Sequence, residues 1–317
     1  MNFSKYIFPD QQSVEKHPIY CAETIAWQHR QKRFPSIRYS LFTLSVIVVG
    51  VFCIWLVLTL IRLNNRSGNA FLLSDDIIIF ETAQEVLNWS LFASLILVIF
   101  LDAQSITASV NSINREQVSG HWDLLRLTDL NEKFIIRTKH VLAQQRTWRS
   151  LLWVVGLRMA VTLLFLSQFT LVRSPYDGLT QLSRLVNRYE RDSMLAIIDV
   201  AILVVSFVVF LLEPFWRMRA LTAGGVMLSA RIRDTTRALL AGLGVIGTMW
   251  FTQIVLSLLY GWLLIPRIID ISNYNESLLG ILTLCILLGY GLCIWLYYQI
   301  IQRGEIGLAR RFAFVRE

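Results

Sequence analysis

The chain has 317 residues, of which 55% are apolar and only 16% charged, with a formal net charge of +8 and a mean hydropathy of +0.53. Ordinary soluble domains carry roughly 25% charged residues, so a soluble globular protein is excluded, and so is disorder, which needs low hydrophobicity and high charge. The basic excess would suit nucleic acid in a soluble protein, but here it is distributed between long apolar runs, where it sets orientation in a bilayer; no nucleic-acid partner is expected.

In chain order, residues 1–39 form a polar segment expected on the cytoplasmic side, with no cleavable signal peptide in the usual place. Within it Ile19, Ala22, Ile25 and Ala26 recur at helical spacing with Trp27 beside them. Such a stripe reads either as an amphipathic helix along the membrane or as a partly ordered tail. A spanning helix needs about 20 mostly apolar residues, and six segments qualify, at about 41–63, 86–110, 151–172, 194–212, 238–265 and 278–301. The fold class is therefore all-α: a polytopic membrane protein whose six-span domain covers 40–301, with amphipathic cytoplasmic helices and a tail at 302–317. Lys and Arg number 22 in the N-terminal segment, the second-to-third and fourth-to-fifth connections and the tail, against seven on the other side. The positive-inside rule then places both termini in the cytoplasm of a plasma membrane. Among the outer connections, 173–193 carries Leu179, Leu182, Leu185 and Val186 at helical spacing and reads as a surface helix.

Charges within spans are costly enough to need a reason. Asp102 near the cytoplasmic end of the second span and Arg158 two turns into the third lie at comparable depth. They are a possible intramembrane pair, or face an inward cavity, or sit apart with Arg158 snorkelling to the headgroups. Asp199 lies near the outer end of the fourth span. Glu213-Pro214 is expected to end that span, since proline cannot continue the hydrogen-bond ladder, leaving a basic, small-residue-rich connection that is itself helical and lies at the surface. Gly242, Gly244 and Gly247 mimic a dinucleotide fingerprint, but no strand precedes them. They read as close packing of the fifth span. Cys285, Gly289 and Cys293 form a similar stripe in the sixth, for packing within the chain or along a dimer seam. The four cysteines are expected to remain thiols.

The most specific stretch lies in the loop at 111–150. Arg115 and Glu116 sit where the second span leaves the bilayer. Gly120 permits a sharp turn. Trp122, Leu124, Leu125 and Leu127 then form an apolar cluster interrupted by Asp123 and Arg126. A short amphipathic helix of this kind lies on lipid or docks in a groove of a soluble partner. Glu116 can fix its angle by pairing with Arg115, Lys139 or Arg149, or by accepting backbone N–H bonds. The stretch resembles the type-2 permease class of ABC transporters, the membrane subunits of many exporters. Arg115, Glu116, Gly120, Asp123, Leu124, Leu125, Thr128 and Lys139 stand at matching places, while His121, Asp129 and Thr138 depart from the pattern, which makes the chain a divergent member.

The resemblance implies a permease subunit with no nucleotide site of its own. It is not an enzyme and binds no cofactor, and a separate ATPase subunit binds ATP and Mg. It implies a homodimer, or a heterodimer with a related permease, and a coupling helix in which Trp122 and Leu125 anchor the ATPase while Arg115, Glu116 and Asp123 fix orientation. The residues agree in part: no phosphate-binding Gly-Lys-Ser/Thr run, metal-ligand spacing or nucleophile–base pair is present in the sequence. Membrane lipid is the remaining partner, and the basic 214–237 connection is expected to touch either the ATPase or anionic lipid. The alternatives are a non-transporting scaffold or accessory subunit, and an ion-coupled carrier using Asp102, Asp199 or Arg158. The carrier lacks the paired broken spans that mark a midplane site.

Overall fold

The computed structural model describes residues 20–21, 37–65, 75–118, 122, 132–170, 193–269 and 276–314. They form six long helices: α1 (Ile37–Asn65), α2 (Asp75–Val118), α3 (Glu132–Thr170), α4 (Ser193–Arg231), α5 (Thr235–Ile269) and α6 (Glu276–Phe314). Each contains a stretch long and apolar enough to cross a membrane. Helix is the form expected there, because it satisfies every backbone N–H and C=O internally where no water can. The chain is an all-α, multi-pass membrane protein.

α3 is the central helix. Of its most apolar stretch 72% is buried within the bundle, against 11% for α1 and α5. It packs on α1, α2, α4 and α6, while α4 and α6 run together along much of their length. One core joins Val98 and Leu101 of α2 to Trp148, Leu151 and Val155 of α3 and Met218 of α4. A second joins Ile106 and Val110 to Leu221, Ala238, Met249 and Tyr298.

The helices are longer than a bilayer requires. α2 has 44 residues, about 66 Å at 1.5 Å per residue, against a hydrocarbon layer of about 30 Å. Outward-facing large apolar side chains cluster at 41–61, 89–100, 197–212, 240–262 and 281–300. Past them, at one end, α2, α3, α4 and α6 continue as a packed bundle. Its core contains Ile113, Ile135, Ile136, Val226, Ala230, Ala309 and Ala313. This is the end that holds the cytoplasmic-assigned Lys and Arg residues, and we call it the basic end. Tyr20 is seated there on Val141 and Leu142, its hydroxyl accepting from Gln145 Nε2 at 2.7 Å. The rest of the expected N-terminal amphipathic helix lies outside the described residues, as does the 173–192 connection.

Two boundaries differ from the sequence expectation. Glu213-Pro214 does not end the fourth helix: α4 runs through Pro214 to Arg231, and only 232–234 interrupt the path to α5. Asp234 caps α5 there, its Oδ1 accepting from the Thr236 N–H at 3.0 Å. The loop at 111–150 is likewise helical over 111–118 and 132–150. Both stretches are polar or basic enough to read as connections, yet they bury a continuous apolar face against their neighbours.

Glycines mark the close approaches. A Cβ on Gly225 of α4 would collide with Ser109 Oγ of α2 and lie 2.8 Å from its Cβ, and one on Gly156 would lie 2.8 Å from Ile47 Cδ1. Of the glycine run in α5, Gly242 packs on Ile106, whereas Gly244 and Gly247 face open space. In α6, Gly289 and Cys293 face Tyr260 of α5, whose hydroxyl donates to Cys293 Sγ at 3.2 Å. Cys285 is exposed, and none of the four cysteines forms a disulfide.

Candidate functional site

Where the apolar belt meets the basic end, five helices contribute to one buried polar network. Its axis is two acid–guanidinium pairs. Arg217 of α4 grips Asp102 of α2 through Nε at 2.8 and 3.0 Å and through Nη2 at 2.7 Å. Arg158 of α3 places Nη2 3.0 Å from Glu213 Oε2 of α4. The pairs are joined within one turn of α4, where Arg217 Nη1 lies 3.3 Å from Glu213 Oε1. Asp102 and Arg217 are 0% and 1% exposed, and two carboxylates against two guanidiniums leave no net charge. Burying ions is tolerable on those terms, with each charge paired and hydrogen-bonded.

The surrounding groups supply the remaining bonds. Trp250 Nε1 of α5 donates to Asp102 Oδ2 at 2.9 Å, and its ring lies 4.2 Å beneath the Arg217 guanidinium. Gln253 of α5 accepts from Arg217 Nη1 and donates to Glu213 Oε1 at 3.4 Å. Tyr298 of α6 donates to the same carboxylate oxygen at 3.1 Å. Arg158 Nη1 also donates to the backbone carbonyl of Phe210, and its guanidinium lies 4.6 Å over that ring.

Asp102 and Arg158 thus belong to one network but are not each other's partner: Asp102 takes Arg217 and Arg158 takes Glu213. Each takes its counter-charge from α4, where Glu213 and Arg217 lie on one face at i and i+4. Glu213, Arg217, Trp250, Gln253 and Tyr298 escape sequence reasoning. The usable signal was Glu213 and Arg217, opposite charges four apart directly after an apolar run, masked by the assumption that Pro214 stops the helix. The side chain of Asp199 lies outside the description.

The second site is the segment between α2 and α3. Arg115 belongs to the last turn of α2. Lys139, one of the partners open to Glu116, pairs with it: its side chain, 2% exposed, brings the ammonium to Glu116 Oε1 and ties α2 to α3. One turn earlier on α2, Ser229 Oγ of α4 accepts from the backbone N–H of Ile113 at 2.9 Å and of Asn114 at 2.8 Å. These bonds tie α2 to α4. His140 Nε2 meets the Arg219 carbonyl at 3.1 Å, joining α3 to α4. Trp122 is 3% exposed. It packs in the core of the basic end and directs Nε1 to the Ala313 carbonyl of α6 at 3.4 Å. Trp122, expected as an anchor for a partner, has its ring inside the chain here. An indole in an amphipathic stretch fills whichever apolar pocket is nearer, and the ends of α2, α3 and α6 form that pocket. Gly120, Asp123 and Leu125 lie outside the described residues.

No family model matches this chain, and no curated protein matches it either.

Proposed function

We propose that this chain is the membrane-spanning permease subunit of an ATP-driven, exporter-type transporter, working with a separate ATPase that docks at the basic end. The supporting observation is the anchoring of the connection between α2 and α3. The Glu116–Lys139 pair locks α2 to α3 on either side of it, and Trp122 within it packs inward and reaches α6, so a push at Trp122 moves three helices together. A loosely tethered loop would absorb the same push. Rigid-body motion of packed helices is an established way to switch access, and the basic end is cytoplasmic by its excess of Lys and Arg. On this reading the chain hydrolyses nothing itself; ATP and Mg belong to the partner, and two permease chains form the working dimer in the plasma membrane.

A scaffold or accessory role is the second reading; the carrier is disfavoured because Asp102, Arg158, Glu213 and Arg217 are engaged with one another and so are not poised to meet a passing ion.

The test is co-purification from native membranes followed by reconstitution. An ATPase subunit should accompany the chain, and ATP turnover in vesicles should depend on it. Glu116→Gln should leave the ATPase bound and active but lower transport per ATP, and the charge-reversed pair Glu116→Lys with Lys139→Glu should restore much of it. A chain that purifies without an ATPase, in vesicles whose ATP turnover ignores it, favours the scaffold.

A further inference from the structure

Pro214 sits inside α4 and has no N–H to give the carbonyl four residues earlier, which is that of Phe210. In a bilayer such an orphaned carbonyl must find another donor. It finds Arg158. Nη1 of Arg158, reaching across from α3, donates to Phe210 O, and the same guanidinium covers the Phe210 ring at 4.6 Å and meets Glu213 Oε2 at 3.0 Å. One side chain therefore holds the whole turn that leads into the proline. The two halves of α4 on either side are packed very differently. Between 217 and 230 nearly every residue is buried, whereas Ile197, Val200, Val204, Val208 and Leu212 face outward. A proline is the usual site of a helix kink, and here it lies between a fixed segment and a freer one.

We propose that α4 contains a hinge at Phe210–Pro214 and that Arg158 is the positioning residue that clamps it. With the clamp made, the two halves of α4 act as one rod; with it released, the outer half swings about the proline while the basic half stays in its core. The clamp is separate from the transport reading and holds whatever the chain carries.

The test measures the bend directly. Nitroxide labels are placed at Val200→Cys and Arg231→Cys, in a full-length chain with its four native cysteines changed to serine, in lipid nanodiscs. At 1.5 Å per residue a continuous helix separates these positions by about 46 Å. The starting chain should give one narrow distance distribution. Arg158→Gln/Glu213→Gln, which removes the clamp without leaving a lone buried charge, should broaden it about two-fold. Adding Pro214→Ala, which returns an N–H to Phe210 O, should narrow it again. An unchanged width in the double variant overturns the clamp, and so does a broadening that Pro214→Ala leaves in place. Should the double variant fail to fold, Arg158→Lys keeps the charge on Glu213 but lacks the fork needed to hold Phe210 O as well. It should broaden the distribution partly and only while Pro214 is present, and no change there also overturns the proposal.

Discussion

Arg217 is the residue on which most of the buried network converges: its donors meet Asp102, Glu213 and Gln253, and its face stacks on Trp250. A planar fork can make this set of bonds and an ammonium cannot. Removing one member of a buried pair strands the other, at a cost of about 3–5 kcal/mol, whereas replacing both by apolar groups of similar volume is often neutral or better. We therefore expect Arg217→Met alone to lower the thermal unfolding midpoint in detergent severely, Asp102→Leu alone to do the same, and the two together to recover most of the loss. A double variant as unstable as the sum of the singles would show that the two charges are not coupled. At this scale the sequence showed where charge was buried but not with what. Asp102 and Arg158 stand out because carboxylates and guanidiniums are rare inside apolar runs. Their partners stood just past Leu212, in a stretch whose composition reads as a connection. For Glu116 the sequence left Arg115, Lys139, Arg149 and backbone N–H groups open, and only the fold brings Lys139 to it.

Helix α4 owes its course to two small residues as much as to its apolar ones. Gly224 and Gly225 let it settle onto α6 and α2: a Cβ at 224 would come within 2.8 Å of Glu305 Oε2, and one at 225 would strike Ser109 Oγ. Close approach of this kind is how helices gain packing in lipid, where burying apolar surface brings little. Gly225→Ala should therefore force α2 and α4 apart and destabilise the protein by about 1–3 kcal/mol, the usual range for overpacking. Ser109→Gly, which removes the colliding Oγ and Cβ together, should restore much of the midpoint when combined with it. A rescue that is absent, or a Gly225→Ala chain as stable as the original, would mean the helices accommodate the methyl elsewhere. The existence and class of the six helices were legible from apolar runs of sufficient length. Their ends were not, because the projecting turns of α2, α3 and α4 mix Arg, Lys, Thr and Gly with the apolar residues. A helix that packs against other helices beyond the bilayer needs only one apolar face, and that pattern is weaker than a continuous run. Proline misled for a related reason: it removes one N–H, and a neighbouring arginine replaces it.

For the molecule as a whole, the distribution of length on either side of the apolar belt carries the functional argument. α2, α4 and α6 each run 13 or more residues past their last large outward-facing apolar positions near 100, 212 and 300, except for Val118 at the tip of α2 and Leu308 on α6. That places about 20 Å of packed helix beyond the belt, all at the end where Lys and Arg accumulate. If the basic end is cytoplasmic, this projection is the surface an ATPase or any other soluble partner meets, and the opposite face carries the connections 66–74, 171–192 and 270–275. Orientation decides between these geometries and can be measured in intact cells with a membrane-impermeant thiol reagent, on a chain without its native cysteines. Cysteine at Ser74 or Thr180 should be labelled from outside. Cysteine at Arg233, exposed in the turn between α4 and α5, should be labelled only after the membrane is opened. Ser229 would be a poor reporter, being wholly buried and already holding two backbone amides of α2. Labelling of Arg233→Cys from outside would reverse the orientation, put the basic bundle on the far side from ATP, and remove the physical basis for coupling to an ATPase through Glu116 and Lys139.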